Sequence, residues 1–571
     1  MPMQNKNEFF VQFIKLAGPY WSSKNKATIR LETLALIILT LLQIVIAVII
    51  TEWSAALFNA LEQRSMSGLL TQIGLLIFIF IASMAVTTSH LIVKRRLLIG
   101  WRMWLTERVI GQWMWKGHHY EVSHIQPGDH DNPDGRIAED IRIATEEAIA
   151  LGHSLFYSVL LLFSFTEILW NLSGTIELNL GFLEITIYGH LVWIAIVYAT
   201  SASIIGWWIG KPLTMATDAR QTEEANFRFG LIKAQENSQA IALIHGEERE
   251  QQRFFALFDH IIAAYKQQTQ AWVKIQLFSS GYSILSMAFP ILVSAPRYIL
   301  GSITLGALMQ SVQAFQHMAE ALSWPANNMA GVANWRASVE RVLGLVNTLD
   351  CLEQETCPQQ PNHIVLERPD HSVLRFHDLC ISKHNGEIIV SGINAEIKAG
   401  ERVLISGDAT TGAKLFKAIA GLWHWGCGRI ELPDEEPMFF MPPRPYLPTG
   451  TLITSICYPE TTELFNRENI ETALARAGLA PLIKQLDLND EWETALSREQ
   501  QQRLGAVRLL LNRPKWILLQ EAFDSLDPEG EVQMLSLICE ELPESTLLSI
   551  TNQPTAQAFH QRTLTINPLT S

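Results

Sequence analysis

Cysteine is scarce in this chain. Six occur in 571 residues, at Cys351, Cys357, Cys380, Cys427, Cys457 and Cys539, and none pairs with another in C-x-x-C spacing. That pattern argues against a metal site or a disulfide framework and reads as reduced structural thiols on a cytosolic side. Charge is also thin: 18% of residues are charged against 48% apolar, and 43 basic minus 57 acidic residues leaves a net charge of −14. The shortage of basic groups argues against a nucleic-acid partner. Roughly the first thirty residues lack a compact apolar core followed by a small-residue cleavage site, so no cleavable signal peptide is expected.

What is abundant is apolar sequence in long runs. Leu34–Ile50, Leu69–Val86, Ala148–Leu172 and Ile185–Gly210 are each long enough to cross a hydrocarbon core of ~30 Å. Ile275–Val293 and Ile303–Ala321 carry more Ser, Gln and Met, and complete a set of six spans. Lys6, Lys15, Lys24, Lys26 and Arg30 precede the first span, and Lys94, Arg95, Arg96, Arg102 and Arg108 follow the second, whereas Asn171–Glu184 holds no Lys or Arg. The asymmetry places both termini on the cytoplasmic side.

The second half of the chain is of another kind. Val403–Gly407 reads as a strand entering a phosphate loop of the G-x-x-x-x-G-K-[ST] type, in which backbone N–H groups cradle phosphates, a lysine offsets their charge and a hydroxyl holds Mg²⁺. Ser406, Gly407 and Gly412 keep the frame, but Ala413 stands at the lysine position and Lys414 at the hydroxyl position. Further on come Phe440-Met441-Pro442-Pro443-Arg444, Leu496-Ser497-Arg498-Glu499-Gln500-Gln501-Gln502-Arg503, Ile517-Leu518-Leu519-Gln520-Glu521, Ser525-Leu526-Asp527 and Thr551-Asn552-Gln553.

In that order these segments resemble an ATP-binding cassette from about Val365 to the C-terminus. The resemblance implies that Pro443 replaces a γ-phosphate-sensing glutamine, Glu499 the glycine after Ser497 in the signature, Gln520 a Mg²⁺-supporting aspartate and Asn552 a switch histidine. Glu521 keeps the position of the catalytic base. A carboxylate at Glu499 would oppose a triphosphate, and phosphoryl transfer rests on positioning and electrostatics that are missing here. Mg-ATP is the cofactor of such cassettes, and none is assigned to this chain. Because each nucleotide in a cassette dimer lies between the loop of one chain and the signature of the other, an intact partner would leave neither site complete.

The membrane half has its own resemblance. Trp101-Arg102-Met103-Trp104, Asn132-Pro133-Asp134-Gly135-Arg136-Ile137-Ala138-Glu139-Asp140, Glu236-Asn237-Ser238 and Pro296-Arg297-Tyr298 are similar to the SbmA/BacA-like transporters and their cassette-bearing YddA-type relatives. The peroxisomal acyl-CoA half-transporters share the N-P-D pattern more distantly. This implies an all-α, six-helix, exporter-type membrane domain over 1–348, a linker over 349–364 and an α/β P-loop cassette over 365–571. It also implies a dimer, as a homodimer or a heterodimer, in a bacterial inner membrane, moving a peptide or another bulky hydrophilic solute.

Within the sixth span Gln310, Gln313, His317 and Glu320 fall at i, i+3, i+7 and i+10, inside about 80° of helix circumference. This polar stripe fits two readings, a hydrated dimer cavity and a proton-responsive His317–Glu320 pair. Glu167 in the third span is read as a gating or an interfacial group. Asn132–Ile143, with Asn132, Pro133, Asp134, Arg136, Glu139 and Asp140, and Gly246–His260 are the segments expected to couple membrane and cassette. The expected function is transport with ATP hydrolysis lost. An ATP-driven transporter with atypical sites and a non-transporting, membrane-anchored interaction protein are the alternatives.

Overall fold

The computed structural model describes residues 6–124, 132–179, 184–355, 363–383, 386–433, 438–551 and 553–566, and the chain falls into two compact units. The first holds 1–112 and 132–346, the second 113–131 and 347–571.

In the first unit, leucine- and isoleucine-rich segments free of internal glycine pairs form helices much longer than a bilayer requires. The first span is Lys26–Glu62, the second Met66–Met114, the third Ile141–Ser173, the fourth His190–Glu236 and the fifth Glu247–Ile299. At 1.5 Å per residue, the fifth is roughly 80 Å long. Among the described residues these five helices are long and apolar enough to cross a membrane. The sixth expected span is the helix Leu305–Leu322, which one residue, Ser323, separates from Trp324–Glu355, with Pro325 in the first turn of the latter. It falls short of the others in hydropathy because it is the most enclosed: Gly306, Leu308, Ser311, Val312, Ala314, Phe315, Met318, Ala319 and Ala321 are buried. Small residues let neighbouring helices approach where lipid supplies no hydrophobic drive. Ala314, Phe315 and Met318 pack on Ile44, Leu161, Phe165, Leu169, Leu191 and Ala195.

The start of this sixth helix is fixed by the first. Asn59 Oδ1 accepts a hydrogen bond from Gly306 N–H at 2.9 Å, and Glu62 Oε2 one from Leu305 N–H at 3.0 Å. Together with Thr304, whose hydroxyl accepts from Ala307 N–H, they satisfy amide donors that a helix N-terminus leaves open.

Three boundaries differ from the sequence reading. Ile185–Tyr188 is not helical: Thr175–Asn179 and Glu184–Tyr188 form an antiparallel hairpin between the third and fourth spans. β-Branched residues alternating with polar ones there follow a two-residue period that a hydropathy average hides. The helix starting at Trp324 runs to Glu355, past the expected start of the linker at 349. Trp113–His124, counted in the membrane domain from sequence, groups with the cassette.

In the second unit, five parallel strands lie in the order Arg562–Ile566, Arg402–Gly407, Thr546–Ile550, Trp516–Gln520, Met438–Met441. Trp516–Leu519 is buried throughout, as expected of a strand covered on both faces. A four-stranded sheet, Val365–Glu367, Gly426–Glu431, Val373–Ser382 and Ile388–Lys398, packs on it through Leu374, Phe376, Ile397 and Ile430. There the expectation of six reduced thiols is corrected. Cys380 and Cys427 stand opposite each other on adjacent antiparallel strands, Cα atoms 4.9 Å apart, and are joined as a disulfide. The strand register makes the pair, and a separation of 47 residues gave no sign of it.

Gly306 tests the packing of the sixth helix. A Cβ there would meet Ala55 O at 2.2 Å and Asn59 Oδ1 at 2.5 Å. Gly306→Val is expected to lower the thermal midpoint of the purified protein, by an overpacking cost of about 1–3 kcal/mol. Gly281→Ala, inside the fifth helix with open space around it, should not lower the midpoint.

Candidate functional site

The parallel strands deliver their C-terminal ends to one edge of the sheet, where α/β folds collect ligand-binding residues. Gly407, Gln520 and Ile550 end their strands there, and Pro443 follows Met441. Gly407 has φ +146°, and a Cβ would lie 2.1 Å from Ile566 O, so the neighbouring backbone admits only glycine. The chain then turns into helix Ala409–Ile419 with a single intervening residue, Asp408. Its carboxylate accepts from Thr411 N–H at 2.9 Å and from Thr411 Oγ1 at 2.9 Å. The helix N-terminus that would meet a phosphate therefore already holds an anion. Gly412 lies within this helix, against Ile550, where a Cβ would come to 3.1 Å of the isoleucine side chain. Its smallness serves helix-to-strand packing. Lys414 Nζ sits 5.4 Å from the centre of the Trp423 ring, and burial foremost, with Lys383 nearby, holds its pKa below the ordinary lysine value.

At the signature, Ser497 caps helix Arg498–Asn512. Its hydroxyl accepts from Gln500 N–H at 3.2 Å while Gln500 Oε1 accepts from Ser497 N–H at 3.0 Å. Glu499 accepts from Arg503 Nε at 3.0 Å one turn on. Gln502 is buried and bridges two loops, donating to Pro443 O at 3.1 Å and accepting from Ser525 N–H at 3.0 Å. Glu521 follows Gln520 in a left-handed conformation, φ 45°, with its N–H donating to Ile550 O at 2.7 Å. Such a backbone state in a non-glycine residue is costly and clusters at functional edges. Asn552 lies outside the described residues.

The structure groups the sequence-selected residues into separate places. Asn132, Pro133, Asp134, Arg136, Glu139 and Asp140 lie at the start of the third span, where Asp140 is buried and takes two hydrogen bonds from Arg341, at 2.7 and 2.5 Å. Glu247–His260 is the first part of the fifth helix, and the short helix next to it is Ser238–Leu243. Gln313 donates to Ser54 Oγ at 2.9 Å, tying the sixth helix to the first. His317 Nδ1 is 3.8 Å from Glu320 Oε2, and the His317 ring lies 4.5 Å from that of Phe165. Gln310 is half-buried beside them.

Two features escaped the sequence. His90 and His153, on the second and third spans, bring their Nε2 atoms to 2.8 Å, so one must donate and the other accept. They are 63 residues apart and no local pattern links them. The other is the segment Trp113–His124, which meets the cassette through Glu121, a fully buried carboxylate 3.0 Å from His424 Nε2. Lys417 Nζ lies 5.2 Å from the Tyr120 ring centre, and Gly117, at φ +86°, leaves space for Leu422 that a Cβ would fill. His363 stacks on His424 at 5.0 Å.

Comparison with known proteins supplies the family context. The model for ABC transporter transmembrane region 2 matches residues 15–299. The chain is 28% identical to the inner membrane ABC transporter ATP-binding protein YddA of Escherichia coli, over 95% of each chain. It is 26% identical to the chloroplastic ABC transporter D family member 2 of Arabidopsis thaliana, over 97% of this chain and 86% of that one. The structure of a bacterial Atm1-family ABC exporter with ATP bound superposes with a TM-score of 0.70 at 16% identity, over 96% and 95% of the two chains, and shows the fold. The resemblance to SbmA/BacA-like transporters is thereby corrected: the relatives are YddA and half-transporters of the D family. The short motifs chosen in the membrane half do not discriminate between such groups, whereas full-length similarity does.

Burial foremost, with His424 beside it, holds the His363 pKa below the ordinary 6.5, against a smaller opposing pull from Glu121. The folded chain then binds fewer protons here than the unfolded chain, so stability rises with pH and is lost as pH falls below about 6.5. Melting curves between pH 7.5 and 5.5 should show that loss, and His363→Gln should reduce the slope. An unchanged slope would assign the acid sensitivity elsewhere.

Proposed function

The chain is a multi-pass membrane protein of the ABC transporter type with an exporter fold, and we propose that it moves a solute across the bilayer as half of a dimer without hydrolysing ATP. One observation carries the reading: the Asp408 carboxylate caps the helix that would otherwise present open amides to a nucleotide phosphate. An anion in that place opposes a triphosphate, and Lys414 rests on Trp423. The capping box at Ser497 and Gln500 employs two more groups of the would-be composite site. The cassette is then a platform for dimerisation or regulation.

The polar stripe of Gln310, Gln313, His317 and Glu320 favours a bulky solute with a hydrophilic surface, a peptide among the candidates. With nucleotide excluded, the drive is a proton gradient or the solute's own gradient, and the His317–Glu320 pair is the proton-responsive candidate. Basic residues before the first span and after the second support cytoplasmic termini, and the likeness to the inner membrane protein YddA supports a bacterial inner-membrane setting.

A second reading, an ATP-driven transporter with atypical sites, draws on Glu521, which keeps the base position in a strained conformation. Phosphate release separates the two. The purified protein in lipid should release no more phosphate from Mg-ATP than Glu521→Gln does. Release that Mg-ATP stimulates and Glu521→Gln abolishes would establish the second reading.

A further inference from the structure

The outer part of the third span holds a carboxylate that nothing in the structure balances. Glu167 lies six residues before the helix ends at Ser173, roughly 9 Å along the axis. Among the described residues it has no hydrogen-bond or ion-pair partner. A carboxylate at such a depth is costly unless it meets water or a cation.

Glu167, itself exposed, borders an open groove of about 700 Å³ between the third, fourth and sixth spans. The walls are apolar and partly aromatic, with Phe163, Trp170, Ile196 and Met318 among them, and Thr166 and Asn171 add uncharged polar atoms near the carboxylate. No lysine, arginine or histidine lines it. The volume falls within the range of small-molecule pockets. Trp170 is held in place by Gly189, whose missing side chain makes room for the indole at a point where a Cβ would lie 2.3 Å from the ring.

A single anion beside an open, apolar and aromatic groove selects for positive charge on an apolar body. Ammonium or phosphonium groups with aromatic or alkyl substituents gain the Coulomb attraction of the carboxylate and the negative face of an indole, and lose little hydration on entry. A hydrophilic anion gains none of these. We propose that this groove binds an amphiphilic organic cation, with Glu167 as the counter-ion and Trp170 as the aromatic wall. The inference is independent of the cassette's chemistry, because binding is read without nucleotide and without transport.

The test uses the full chain in an uncharged, sugar-headed detergent and radiolabelled tetraphenylphosphonium, by equilibrium dialysis against protein-free micelles. Saturable binding of one cation per chain is expected. Glu167→Gln should weaken it roughly tenfold or more, and Ile196→Trp, which fills the groove, should weaken it as well. Tetraphenylborate, the same shape with the opposite charge, should not compete. If Glu167→Gln does not yield folded protein, Ile196→Trp and the borate comparison carry the same expectation. Uptake no greater than that of micelles, equal affinity in folded Glu167→Gln, or competition by the borate would overturn the proposal. Displacement of the cation by phosphatidylethanolamine would also overturn it, by making the groove a lipid headgroup site.

Discussion

The cassette of this chain is organised around the hydrogen bonds between the Asp408 carboxylate and Thr411. A helix N-terminus carries about half a positive charge and unpaired amides, and nucleotide-binding folds spend this on phosphate. Here the chain spends it on its own side chain. The consequence extends along the sequence: the helix starts one residue after the capping position, Gly412 falls inside it, and Lys414 emerges toward Trp423. Each of these follows from where the helix begins.

The membrane half depends on a comparable economy of space. Gly306, Ala314 and Ala319 allow the sixth helix into the centre of the unit, and Asn59 and Glu62 from the first helix complete its N-terminus. The polar stripe on that helix is consequently held by packing on both sides of it, with Gln313 fixed to Ser54 and His317 against Phe165. The segment that joins the cassette to the second span has a different anchor, the buried Glu121 beside His424. A buried carboxylate without its partner would be strongly destabilising, which makes this contact a specific one.

Much of the fold was legible because its signals are periodic or long. The apolar runs foretold the spans, and the order of cassette motifs foretold an α/β domain. What escaped notice depends on register or on distance along the chain. Cys380 meets Cys427, His90 meets His153 and Glu121 meets His424 only once strands and helices are assembled. The hairpin at Thr175–Tyr188 was lost to averaging over an apolar window. At the loop, the capping role of Asp408 went unread, although an aspartate three residues before a buried threonine in a helical run is a local capping signal.

The most direct measurement is an equilibrium titration of the full-length protein in lipid with Mg-ATP, following bound nucleotide. If Asp408 occupies the phosphate end of the helix, binding will not saturate over the millimolar range. Saturable binding at submicromolar to micromolar nucleotide would contradict the account at its base.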